Sequence, residues 1–129
     1  MATIVKISLP LPHKTLHPNH HHRTPGGAIA KHIAYQAYKE RACIEATAIR
    51  LQNQQQGFPW SRAMTHARFF FATNRNRDGD NLGGWLKAGW DGIAQGGLVV
   101  NDSGLTHMPP MQDIDKDNPR VELTIEETP

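Results

Sequence analysis

Cysteine is almost missing from this chain of 129 residues: Cys43 stands alone, which excludes an intrachain disulfide and any zinc cage built on thiolates. Long apolar runs are missing as well, and none approaches the roughly 20 residues that a bilayer-spanning helix needs. The N-terminal apolar stretch is broken by Lys6, with no small-residue cleavage pattern behind it. Together these absences predict one reduced domain in the cytoplasm, away from membranes. A chain of this length buries about two-thirds of its unfolded surface, enough for a core without disulfides or a structural metal. Acids are the scarcest group in the first 77 positions, where Glu40 and Glu45 face eleven Lys and Arg for a charge of +9. From Asp78 onward the balance inverts, with three bases against ten acids, or −7. Two oppositely charged halves can simply fold together and cancel. They can also form a cationic surface for a polyanion such as nucleic acid, beside a carboxylate cluster that would itself need a cation.

The hydrophobic pattern predicts an α+β fold with the order β, α, β, α, β, β, a small mixed sheet with two helices packed on it. Val5, Ile7 and Leu9 alternate with Lys6 and Ser8, which predicts a strand over Thr3 to Leu9 ended by Pro10 and Pro12. His13 to Gly27 reads as an exposed loop. Ala28 to Leu51 reads as a helix with Ile33, Ala37, Ile44, Ala48 and Leu51 near one face, interrupted at Glu40 or Arg41. Gln52 to Pro59 is a connector. Three consecutive phenylalanines place a second strand at about Met64 to Thr73 with both faces partly buried. After a turn at Asn74 to Gly79, Asn81 to Ala94 reads as one helix carrying Leu82, Leu86, Trp90 and Ile93 on one side. Its four glycines imply that close packing or a ligand's approach holds it together. Leu98 to Val100 predicts a short buried strand, and Val121, Leu123 and Ile125 a final one.

The chemistry concentrates at Arg75-Asn76-Arg77-Asp78-Gly79-Asp80-Asn81. Asp78 and Asp80 point the same way if the backbone there is extended. Two such carboxylates raise each other's pKa unless a cation lies between them, and hard oxygen donors suit Mg²⁺. Taken alone, an Asp-x-Asp pair is more often a solvated turn. In one helix starting near Asp80, the positions Asp80, Gly84, Lys87 and Asp91 form a single stripe that carries the Lys87 ammonium along the carboxylate face. The plainer reading of Lys87 and Asp91 is an i, i+4 ion pair. Asp102 follows the predicted strand at Leu98 to Val100, and Arg75 and Arg77 suit phosphate oxygens. Other cation sites fail on spacing. Asn74-x-Asn76-x-Asp78-Gly79 opens like an EF-hand loop but has Trp85 in the twelfth position; Asp113-x-Asp115-x-Asp117 fails likewise at Thr124 and reads as an acidic surface loop. His20-His21-His22 lacks further ligands at a recognisable spacing. Trp85 and Trp90 fit helix packing better than base stacking.

The run Arg75 to Leu82, then Leu86-Lys87-Ala88-Gly89-Trp90-Asp91-Gly92-Ile93, then Gly97-Leu98-Val99-Val100-Asn101-Asp102 resembles the RusA-type Holliday junction resolvases. Ile7 to Pro12, Pro18-Asn19 and the closing Val121 to Ile125 extend the likeness weakly over nearly the whole chain. That family consists of small homodimeric, Mg²⁺-dependent endonucleases, common in phages and prophages. The resemblance implies that Asp78, Asp80 and Asp102 bind Mg²⁺, or Mn²⁺ in its place, and that Lys87 assists at the phosphate as the fourth catalytic residue. Arg75, Arg77, Asn19 and Arg23 would hold branched DNA, with the four-way junction as substrate. Asp91 matches a recurrent acid that is structural as readily as catalytic. The chain departs from the family twice: the family lysine falls at Gly84, one turn before Lys87, and paired acids stand where this chain has Asn101-Asp102. The alternative is a non-catalytic DNA-structure-binding protein whose acids are structural.

Overall fold

The computed structural model describes residues 3–18, 20–21, 23–74 and 79–128, with Gly79 and Asp80 described through their backbone alone. Five strands form one mixed sheet: β1 (Ile4–Leu9), β2 (Ala63–Phe71), β3 (Leu105–His107), β4 (Met111–Ile114) and β5 (Arg120–Glu127). The helices are α1 (Pro25–Gln52), α2 (Gly79–Trp85) and α3 (Lys87–Gln95). The predicted α+β class therefore holds, with a third helix added. In space the strands run β1-β5-β2-β3, and β4 pairs with β2 beyond β3. β5 is antiparallel to both neighbours, whereas β3 and β4 run parallel to β2.

Register explains the core. Val5, Ile125 and Thr65 lie side by side, as do Ile7, Leu123 and Ala67, then Leu9, Val121 and Phe69, and all nine are buried. The alternate positions Lys6, Thr124 and His66, then Ser8, Glu122 and Arg68, share the opposite face. This pairing also disposes of the charge asymmetry: acidic β5 lies between β1 and β2 from the basic half, so opposite signs become neighbours. On that open face Arg120 lies over the Phe70 ring, 4.0 Å from its centroid.

Helix α1 starts at Pro25, earlier than predicted, because Thr24 Oγ1 accepts a hydrogen bond from Gly27 N at 3.0 Å and proline suits the first turn. Its buried face also differs from the prediction. Tyr38, Ala42 and Ala46 are buried, whereas Ile33, Ala37, Ile44, Ala48 and Leu51 are exposed, Ile33 to 62%. The reason is close approach to α3. A Cβ on Gly92 would overlap Lys39 O and sit 2.8 Å from Ala42 Cβ; one on Gly96 would sit 2.6 Å from Ala46 Cβ. Small residues on both helices permit that spacing, and larger ones face away.

The predicted helix Asn81 to Ala94 is two helices, broken at Leu86 (φ −91°, ψ 4°), where Leu86 N bonds Gly83 O at 3.2 Å in a tighter turn. Leu82, Leu86, Trp90 and Ile93 are nevertheless all buried together. Leu98 to Val100 is not a strand: Val99 makes an isolated parallel bridge with Trp60, and Val100 is exposed. The acidic segment expected as a loop contains β4, which includes Asp113. Past it, Asp115 Oδ1 accepts from Asp117 N and Asn118 N while Arg120 binds Oδ2 at 2.8 Å, so Asp115 braces the turn into β5.

Candidate functional site

Three predicted residues fall where the fold brings separate segments together. Lys87 opens α3, Asp91 lies one turn later, and Asp102 opens a 3-10 turn at Asp102–Gly104. The bridge between Val99 and Trp60 anchors the chain just before Asp102, with Trp60 N donating to Leu98 O and Val100 N to Trp60 O, both at 2.9 Å. Asn101 is committed elsewhere, since its Oδ1 caps the turn by accepting from Ser103 N at 2.9 Å and from Ser103 Oγ. Asp102 consequently turns toward α3, where its Oδ2 lies 3.1 Å from Lys87 Nζ. The same ammonium lies 3.2 Å from Asp91 Oδ1.

Tyr35 completes the cluster from α1, its hydroxyl donating to Asp91 Oδ2. Burial and this hydrogen bond push the phenol up to about 12, so it remains a donor at neutral pH. Burial alone would raise the Asp91 carboxyl, but the hydrogen bonds from Tyr35 and Lys87 outweigh it and hold Asp91 below its ordinary range. Hydrogen bonds to Asp102 and then Asp91 raise Lys87, keeping it charged. At neutral pH one cation therefore serves two carboxylates, and the cluster keeps an excess negative charge. The Lys87 side chain is 64% exposed, so a ligand can approach it from solvent.

Asp78, Arg75, Arg77 and Asn19 lie outside the described residues. Asp80 is the second residue of α2, and its side chain is likewise outside them, so the predicted stripe joining it to Lys87 is interrupted by the break at Leu86. Arg23 is exposed just before the cap of α1. No group of three or more His, Cys, Asp or Glu able to hold a metal occurs among the described residues, His20 and His21 included. The loop after β1 is tied to α2: Trp85 Nε1 donates to His13 O at 2.9 Å, and His17 meets the Trp85 ring edge-on at 5.7 Å. Pro18 covers Gly84 so closely that a Cβ there would lie 2.8 Å from Pro18 Cγ. A lysine at position 84 would have to displace this loop. Trp85 and Trp90 both pack against the body of the protein, Trp85 stacked with Phe69 and Trp90 buried beside His107.

Sequence reasoning missed Tyr35. An aromatic residue on a long helix carries no local sign of such a role, and only the crossing of α1 with α3 brings it to Asp91. No protein-family model matches the chain, and no curated protein shows a significant match.

Proposed function

We propose that the protein is a divalent-metal-dependent endodeoxyribonuclease for branched DNA, of the kind its sequence resembles in the RusA-type resolvases. One observation carries this reading: a single exposed ammonium, Lys87, is shared by carboxylates from two separate segments, Asp91 and Asp102, leaving unbalanced negative charge at an open surface. Hard carboxylate oxygens with surplus charge fit a hard cation. Asp102, with Asp80 of α2 and Asp78 two positions before it in sequence, would hold Mg²⁺ or Mn²⁺. Bound there, the ion would lower the pKa of a water and neutralise charge on the phosphoryl group.

The protein's own residues then bind and orient. Lys87 places a charged ammonium beside the phosphate, where developing negative charge is greatest. Asp91 and Tyr35 fix the direction of that ammonium. Arg23, Asn19, Arg75 and Arg77 grip the backbone without reading sequence, so binding weakens as salt rises. Resolving a four-way junction takes two symmetric incisions, which a two-fold homodimer supplies. The exposed row Ile29, Ile33, Ile44 and Leu51 on α1 offers apolar surface for such an association. No helix among the described residues is long and apolar enough to cross a membrane, in keeping with a DNA substrate; the proposed setting is the cytoplasm of a bacterial cell, with the protein encoded by a phage or prophage.

The competing reading is a DNA-structure-binding protein without catalysis, favoured by the partial neutralisation that Lys87 already gives Asp91 and Asp102. Asp80→Asn separates the two. In a Mg²⁺ assay with a labelled four-way junction, the variant is expected to bind the junction as the wild type does and to leave it uncut. Undiminished cleavage by the variant would refute the assignment. Equal cutting of linear duplex by the wild type would remove the selectivity for branched DNA.

A further inference from the structure

Helix α1 buries Tyr38, Ala42 and Ala46 against the body of the protein and leaves its opposite side bare. On that side Ile29, Ile33, Ile44 and Leu51 are each more than half exposed. Ala30, Ala37 and Ala48 lie exposed among them, and Glu40 and Arg41 sit, also exposed, at the middle of the row. At 100° per residue all of these fall within about 120° of arc, and from Ile29 to Leu51 the stripe runs about 33 Å along the helix. A contiguous apolar surface of this kind marks an association site.

The order of residues along the stripe names what covers it. Ala37 and Ile44 are equidistant from the point midway between Glu40 and Arg41, and so are Ile33 and Ala48, then Ala30 and Leu51. A second α1 laid antiparallel, with a two-fold axis through that midpoint, sets each of these residues against its counterpart. In all three pairs a large aliphatic side chain meets an alanine, so the helices approach at even spacing with no large residue forced onto another. The fourth pair is Glu40 against Arg41 of the second copy, made once on each side of the axis. Arg41 Nε already bonds Glu45 Oε1 at 3.2 Å within its own helix, and a guanidinium has further donors for a second carboxylate. Parallel pairing would instead oppose Glu40 to Glu40 and Arg41 to Arg41. The stripe is therefore complementary to itself in size and in charge, which is what an isologous two-fold contact requires.

We propose that two copies of this chain associate through α1, antiparallel, with the axis between Glu40 and Arg41. The inference deepens the homodimer that the nuclease reading calls for by giving its surface and register, and its test needs neither DNA nor metal. Sedimentation equilibrium of the full chain is expected to show a dimer. Ile44→Glu is expected to keep the fold by circular dichroism, since the side chain is 58% exposed in one copy, and to raise the dimer dissociation constant at least about thirtyfold, the loss that marks a hot spot. Glu40→Arg is expected to weaken the dimer, and the exchange Glu40→Arg with Arg41→Glu to restore it. Register is read by disulfide trapping after removal of the native thiol as Cys43→Ser. Positions 37 and 44 of one helix are about 10 Å apart, beyond the roughly 7 Å that a disulfide can span. Ala37→Cys combined with Ile44→Cys is therefore expected to yield a covalent dimer, and either cysteine alone to yield none. A monomer throughout the concentration range, a dimer indifferent to Ile44→Glu, or crosslinking by Ala37→Cys alone would each overturn the proposal. If the dimer forms in this register but four-way junctions stay intact with Mg²⁺, the nuclease reading fails and the interface stands. A monomer that cuts junctions gives the reverse.

Discussion

Asp102→Asn is expected to lower Mg²⁺-dependent junction cleavage by at least on the order of a hundredfold, since even residues that only support metal ligands cost tenfold to a hundredfold when changed. Junction affinity is expected to hold or rise, because the substitution removes a negative charge from a surface that meets a polyanion. Thermal stability is expected to change little as well. Lys87 and Asp102 form an exposed ion pair, with 64% and 40% of their side chains accessible, and such pairs contribute only about 0–1 kcal/mol. This combination separates a chemical role for Asp102 from a structural one. Tyr35→Phe should fall between the variant and the wild type: Asp91 and Lys87 remain, but the hydroxyl that orients Asp91 is gone. Steady-state cleavage, junction binding by anisotropy and a thermal melt on the same preparations would distinguish these outcomes.

The second large effect concerns the scaffold beneath the cluster. Gly92→Ala is expected to destabilise the protein by about 3 kcal/mol, at the upper end of what one inserted methyl does in a tight core. The added Cβ would overlap Lys39 O and press on Ala42 Cβ and Cys43 N, at 2.8 and 3.0 Å. These atoms belong to α1 in the middle of its contact with α3, where no flexible side chain can yield. The loss corresponds to a fall in Tm of roughly 10 °C. Gly83→Ala serves as the control. Its Cβ meets nothing within 4 Å, and alanine favours helix over glycine, so the melt should stay level or rise. Because Tyr35 and Asp91 meet across this same helix pair, Gly92→Ala should also loosen the cluster and slow cleavage below its melting range.

The strands with strict alternation were legible because one buried face writes a period of two into the sequence, as Val5, Ile7 and Leu9 do against Val121, Leu123 and Ile125. Helix α1 was legible as a helix but not in its orientation. Ile33 and Ile44 mark its exposed side, while the close contact is made by Ala42 against Gly92 of α3 and by Ala46 against Gly96 just past its end. Alanine and glycine carry little hydrophobic signal, so size was misread as burial. The break at Leu86 and the short strands β3 and β4 escaped for other reasons. The glycines around Leu86 give no period, and β4 is an exposed four-residue edge following two prolines. At the site, Lys87 and Asp102 could be named from sequence likeness, but their meeting depends on a single bridge between Trp60 and Val99 that no local pattern announces.

In the proposed site Asp78 and Asp80 join Asp102 around a divalent cation beside Lys87. Anomalous diffraction from crystals of the full chain soaked in Mn²⁺ tests it directly. A manganese peak is expected within coordination distance of all three carboxylates, with Lys87 alongside. Ordered Asp78 and Asp80 side chains pointing into solvent, with no peak near Asp102, would contradict it.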